Sequence, residues 1–120
     1  MEWKLNDDRP IWIQLKEQLG KQIVSGRYQC GEKLPSVREL AKEAGVNPNT
    51  MQRALAALDQ DGLIITNRTA GRCVTEDSKI IGAYRKEFAE IIIHTYLEDM
   101  QELGYTKEEA INVIYQDKKR

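Results

Sequence analysis

Apolar residues recur at helical spacing along most of the chain, and the period changes once, between Leu63 and Thr75. Ile11, Leu15, Leu19 and Ile23 fall on every fourth residue, with Trp12 widening the stripe, and predict an amphipathic helix within residues 1–26. Asp7 or Asp8 can cap it, Pro10 lies in its first turn, and Gly26 is its stop. Trp12 reads as core, and Trp3 and Leu5 can pack on the same core or on a partner. A loop, RYQCGEKLP, follows with Gly31 as pivot and Leu34 as anchor. Pro35 disfavours helix at Leu34, so the next helix begins at Ser36.

From Ser36 to Leu58 the pattern predicts two short helices around a tight turn. Ser36 and Glu39 have capping-box spacing, Leu40, Ala41 and Ala44 face inward, and Gly45 ends the helix in a left-handed turn. Val46 plugs the turn. Asn47 is a good N-cap, and Pro48 fits a first helical position, where a missing N–H costs nothing. Met51, Ala54, Leu55 and Leu58 then repeat at i, i+3, i+4 and i+7, which leaves Asn49, Thr50, Gln52, Arg53 and Ala56 facing outward. Amide, hydroxyl and guanidinium groups pair with base edges and phosphates, and a small alanine permits close approach. No Asp or Glu occurs between Glu43 and Asp59 to repel phosphate.

After Gly62, the runs Leu63–Thr66 and Arg72–Thr75 flank turn formers and predict a β-hairpin, with Arg68 and Arg72 at or near its tip. A basic side chain there can enter a minor groove or clasp phosphates, and Lys33 could also touch one. The fold class is therefore mainly α with a small β-hairpin: a winged helix-turn-helix over residues 1–77 and a helical hairpin tail over 78–120. In the tail, Ile80, Tyr84, Phe88, Ile92, Tyr96 and Met100 recur every fourth residue, broadened by Ile81, Ile91, Ile93, Leu97 and Leu103. Gly104 closes that helix. Thr106 with Glu109 opens a second, in which Ile111, Ile114 and Tyr115 are expected to face inward. So wide an apolar surface needs covering. A homodimer through Ser78 to Tyr115 is the expectation, its contacts made by Ile81, Tyr84, Phe88, Ile91, Ile92, Tyr96, Met100, Leu103, Ile111, Ile114 and Tyr115. A tail folded onto the first helix is the alternative.

Charge changes this picture little. The chain has 18 basic and 19 acidic side chains, for a formal net charge of −1, and neither half carries a sign. Any DNA-binding groups must therefore be gathered on one surface rather than spread over a polycation. Cys30 and Cys73 lack a second C-x-x-C or a histidine partner and read as reduced thiols of a cytoplasmic protein. No leader peptide is expected, and no apolar run is long enough to span a bilayer. His94, the single histidine, sits in an apolar helix. With no phosphate loop, metal cluster or nucleophile-base arrangement, neither an enzyme nor a cofactor is expected.

The segments Pro10-Ile11-Trp12-Ile13-Gln14-Leu15, Gly31-Glu32-Lys33-Leu34-Pro35-Ser36-Val37-Arg38-Glu39-Leu40-Ala41 and Gly45-Val46-Asn47-Pro48-Asn49-Thr50-Met51-Gln52-Arg53-Ala54 resemble the amino-terminal domain of the GntR family of bacterial transcription regulators. Asp61-Gly62-Leu63-Ile64 continues the likeness, which runs from about Pro10 to Val74. The short tail resembles the YtrA subfamily, which carries two helices in place of a large effector-binding domain. The resemblance implies that Arg38 contacts backbone and base, that Asn47, Pro48, Asn49 and Thr50 open the recognition helix, and that Gln52 and Arg53 are its later polar positions. Some branches have arginine where Pro48 stands, which implies a different base readout here. The wing departs from the family's G-x-G-T-F-V, with Thr69 for the first glycine and Cys73 for the packed aromatic.

The functional expectation is a cytoplasmic, homodimeric repressor that binds a palindromic operator in competition with RNA polymerase. Asn49, Thr50, Gln52 and Arg53 would specify bases, while Ser36, Arg38, Arg68 and Arg72 would position the protein. The YtrA resemblance implies control of an ABC-type transporter operon. No effector is readable. A winged helix used only for protein contacts is the alternative, and it predicts no salt-dependent DNA affinity.

Overall fold

The first apolar stripe becomes helix α1 (Ile11–Val24) in a computed structural model that describes residues 2–69 and 71–117. It is followed by α2 (Val37–Ala44), α3 (Pro48–Gln60), β1 (Ile64–Asn67), β2 (Gly71–Val74), α4 (Ser78–Glu102) and α5 (Lys107–Gln116). The chain divides into two compact units, residues 1–85 and 86–120.

The core of the first unit is the meeting of α1 with α3. Leu15, Leu19 and Ile23 from α1 are buried, as are Met51, Ala54, Leu55 and Leu58 from α3, and Leu40 and Ala41 from α2 join them. Leu34, Leu63, Ile64 and Val74 continue the same core. A buried leucine of this kind typically costs 2–5 kcal/mol when cut to alanine.

Neither Asp7 nor Asp8 caps α1. Pro10 is the N-cap and offers no side-chain bond, while Asp8 donates its N–H to Asn6 Oδ1 at 2.9 Å in the bend upstream. The work falls to two glutamines. Gln14, 2% exposed, accepts the Asn6 N–H at 3.0 Å and donates to the Asn6 and Arg9 carbonyls at 2.9 and 2.7 Å. Gln18 accepts the Lys4 N–H at 2.9 Å and donates to the Lys4 carbonyl at 2.6 Å. The arm ahead of the helix is thus hydrogen-bonded to it through side chains, with Trp3 and Leu5 half-buried.

The loop before α2 is more ordered than its composition predicts. Gly31 donates to the Val74 carbonyl at 3.0 Å, Val74 to that of Glu32 at 2.9 Å, and Leu34 to that of Arg72 at 2.9 Å. Residues 31–34 thereby pair with the outer edge of β2, with Lys33 opposite Cys73. On its other edge β2 pairs antiparallel with β1, Ile64 facing Val74 and Asn67 facing Gly71.

The seam between units lies later than the sequence pattern suggests. Ile81 is buried, Ile80 Cδ1 lies 3.4 Å from where a Cβ on Gly62 would stand, and the Tyr84 hydroxyl donates to Asp61 Oδ2. Lys16 reaches the same oxygen at 3.0 Å. The Tyr84 bond first, with help from Lys16, holds the Asp61 carboxyl below the usual aspartate range. Arg85 donates from Nε and Nη2 to the Val24 carbonyl at 3.1 and 2.9 Å, satisfying the end of α1. The first two turns of α4 therefore belong to the first unit.

In the second unit, Gly104 (φ 93°) turns the chain, and the Thr106–Glu109 capping box starts α5. The Tyr96 hydroxyl donates to the Ala110 carbonyl at 2.7 Å, and Ala110 is the residue that α5 buries. Ile111, Ile114 and Tyr115 do not face inward: they are 40%, 56% and 84% exposed in the single chain. Ile92 is 62% exposed in the single chain, whereas Phe88, Tyr96, Leu97 and Met100 are half-buried. A four-residue repeat advances roughly 400° on an α-helix, so it drifts by roughly 40° per step and spirals instead of keeping one face.

Gln14→Ala should release the arm and strand the backbone groups of Asn6 and Arg9. The expected cost is about 1–3 kcal/mol, read as a lower urea midpoint, and an unchanged midpoint would disprove this role.

Candidate nucleic-acid interface

Helix α3 is built to present its polar side. The Asn47 side chain accepts the Asn49 N–H at 2.7 Å, its carbonyl accepts from Thr50 and Met51 at 3.0 and 3.1 Å, and Pro48 occupies the first position. With Met51, Ala54, Leu55 and Leu58 turned into the core, Asn49, Gln52, Arg53 and Ala56 are exposed and Thr50 is half-buried. These outward positions are spaced i, i+3, i+4 and i+7, so they form one continuous strip.

Helix α2 stands ahead of it with both ends closed. Ser36 accepts the Glu39 N–H at 3.1 Å, and Glu39 Oε1 accepts the Ser36 N–H at 3.0 Å. The Ser36 backbone and then its hydroxyl hold the Glu39 carboxyl below its usual range, so its charge is turned onto the helix's own N-terminus. Gly45, at φ 72°, supplies the left-handed turn, and Val46 N–H reaches the Ala41 carbonyl at 2.9 Å. Ser36 and Arg38 are both exposed in the first turn.

The wing tip is organised by Asn67, whose Oδ1 accepts both the N–H and the hydroxyl of Thr69 at 2.9 Å. That gives the unexpected Thr69 a structural reason, and it leaves Arg68 exposed at the tip. Ala70 lies outside the described residues. Arg72 is inside strand β2 opposite Thr66 and half-buried, and Cys73 is half-buried beside it. The Thr66 hydroxyl donates to Asp59 Oδ2, tying the hairpin to the end of α3.

The residues expected to meet DNA thus fall into two groups. Asn49, Gln52 and Arg53, with Ser36, Arg38 and Arg68, are exposed on α3, α2 and the wing, whereas Arg72 is partly taken up by the sheet. One contributor was not legible as such: the Arg53 guanidinium lies 4.4 Å from the Trp12 ring centre. The available signal was the position of Trp12 one residue off the Ile11–Leu15–Leu19 line, roughly 100° around α1.

A helix-turn-helix with a free polar second helix, followed by a basic hairpin, defines the class of winged-helix DNA-binding regulators. The family model described as "Bacterial regulatory proteins, gntR family" matches residues 13–74. The chain belongs to that family, and within it to the YtrA-like branch. It is 32% identical, over 95% of its length and 94% of the relative's, to the uncharacterized HTH-type transcriptional regulator YhcF of Bacillus subtilis. It is 40% identical, over 58% of its length and 54% of the relative's, to the HTH-type transcriptional repressor YtrA of the same organism. Among solved structures, a GntR family transcriptional regulator from Listeria monocytogenes superimposes with a TM-score of 0.85 at 36% identity, covering 95% of this chain and all (100%) of that one. The DNA-binding domain of AraR in complex with operator ORX1 gives a TM-score of 0.58 at 25% identity, covering 62% and 96%. The protein is a DNA-binding transcriptional regulator, of a family of regulators and not of enzymes. Among the described residues no helix is long and apolar enough to cross a membrane.

Asn47→Ala should destabilise the protein by about 1 kcal/mol in the absence of DNA, because it removes the side-chain cap of α3. Thermal unfolding of the free protein checks this, and an unshifted transition would show the cap to be dispensable.

Proposed function

We propose that this regulator is a cytoplasmic homodimeric repressor that binds an inverted-repeat operator. The observation that carries the DNA reading is the exposed polar strip of α3, held outward by its own buried side. Inserted in a major groove, Asn49, Thr50, Gln52 and Arg53 meet base edges, with Asn47 and Pro48 opening the helix. Ser36 and Arg38 from α2 and Arg68 from the wing contact the backbone, with Arg72 in support. In AraR the domain of this kind is bound to an operator, and YtrA is named a repressor. Both support operator binding and a repressor's sign here. Occupying a promoter then excludes RNA polymerase sterically.

The dimer rests on the second unit. Ile91, Ile92, Ile93, Leu103, Ile114 and Tyr115 are all more than half exposed in one chain, a surface that a second copy would bury. Ile81 is buried in the first unit and the Tyr84 hydroxyl is bonded to Asp61, so the proposed interface is centred on Phe88–Tyr115. Division of labour between a reading domain and a dimerising tail follows. Two linked heads gain effective concentration and read half-sites about 34 Å apart.

Light scattering at micromolar concentration should give twice the chain mass, and Ile92→Glu should give the mass of one chain. A monomeric unaltered protein would refute the dimer. Selection from random duplex DNA should enrich an inverted repeat, bound with an affinity that falls steeply as salt rises. On that duplex Arg38→Ala should cost roughly 1–3 kcal/mol. Affinity indifferent to salt would favour a winged helix used for protein contacts alone.

A further inference from the structure

We infer that Trp12, which lies on α1 and outside the reading helix, is a positioning residue for Arg53 and so sets part of the protein's DNA affinity. The inference rests on the reading of α3 as the DNA-contacting helix. Arg53 shares its strip with Asn49, Gln52 and Ala56, and its Cζ lies 4.4 Å from the centre of the Trp12 ring. That separation is a cation–π contact, and tryptophan is the strongest acceptor of one. Trp12 is half-buried, its helix fixed by Leu15, Leu19 and Ile23, so the ring is a firm platform, whereas Arg53 is exposed.

The chemistry of the guanidinium makes this pairing productive. A cation–π contact uses the face of the group, while its five N–H donors lie in the plane and point outward from its edge. Stacking on Trp12 therefore leaves donors for a guanine edge or a phosphate. An unsupported arginine is free to sample many rotamers and loses that freedom on binding. Here much of the loss is incurred on folding, and the group meets DNA already placed.

The test is a double-mutant cycle on the duplex that the unaltered protein enriches from a random pool, with folding checked by thermal unfolding. Trp12→Leu should weaken binding about 2- to 5-fold per reading head, the equivalent of one exposed cation–π contact. In an Arg53→Ala background the same change should have no further effect, and Trp12→Tyr should restore most of the affinity. A merely structural tryptophan would lower affinity equally in both backgrounds, and that additive result overturns the proposal, as does undiminished binding by Trp12→Leu. Should Trp12→Leu fail to fold, Trp12→Phe carries the same cycle with a smaller coupling of the same sign, and zero coupling overturns it. If the unaltered protein enriches no duplex, the DNA reading of α3 falls and this role falls with it. If it enriches one and the cycle is additive, the role of Trp12 alone is lost.

Discussion

The packing of α1 against α3 is the interaction on which the first unit depends. At thirteen residues α3 is too short to be stable alone in water, so its shape comes from what it buries. Leu15, Leu19 and Ile23 receive Met51, Ala54, Leu55 and Leu58, and this contact fixes the rotation of α3 about its axis. Rotation decides which residues face solvent. The same apolar burial that folds the unit therefore selects Asn49, Gln52, Arg53 and Ala56 as the exposed strip, and it brings Trp12 under Arg53.

Local rules carried most of what could be read in advance. Both capping boxes, the left-handed Gly45, the Asn47–Pro48 start and the buried side of α3 follow from residues within four of one another, and all are present. The hairpin is found within a residue of its expected limits. What escaped is long-range and aperiodic. Gln14 and Gln18 holding the arm, Arg85 on the Val24 carbonyl, and residues 31–34 pairing with β2 leave no recurrent pattern in the chain. The free polar strip of α3 was legible because burial elsewhere implied it. The Trp12–Arg53 contact was not, because it joins residues forty-one positions apart that each look ordinary alone.

The C-terminal stripe shows how one apolar pattern can serve two surfaces. Ile80, Tyr84 and Phe88 do repeat every fourth residue, and the segment is helical throughout. Their azimuth shifts at each step, so the early members serve the first unit while Ile92, in the second, is exposed. One apolar repeat can thus supply two surfaces in succession, which a count of hydrophobic residues does not separate. The exposure of Ile111, Ile114 and Tyr115 has the same origin in accounting, since a single chain offers too little to cover them.

The glutamine-held arm has a consequence of its own, which lies in matching lengths. Lys4 and Asn6 are two residues apart in the arm ahead of α1, while their partners Gln18 and Gln14 are four apart on a helix running the other way. Four helical residues rise roughly 6 Å, and over that rise both amides find their backbone partners in a single register. The arm and the helix are here commensurate, as a vernier is with its scale. Adding or deleting one residue between Lys4 and Asn6 would put Lys4 out of step with Gln18 while Asn6 keeps Gln14, so this edge of the molecule tolerates exchange of side chains far better than changes of length.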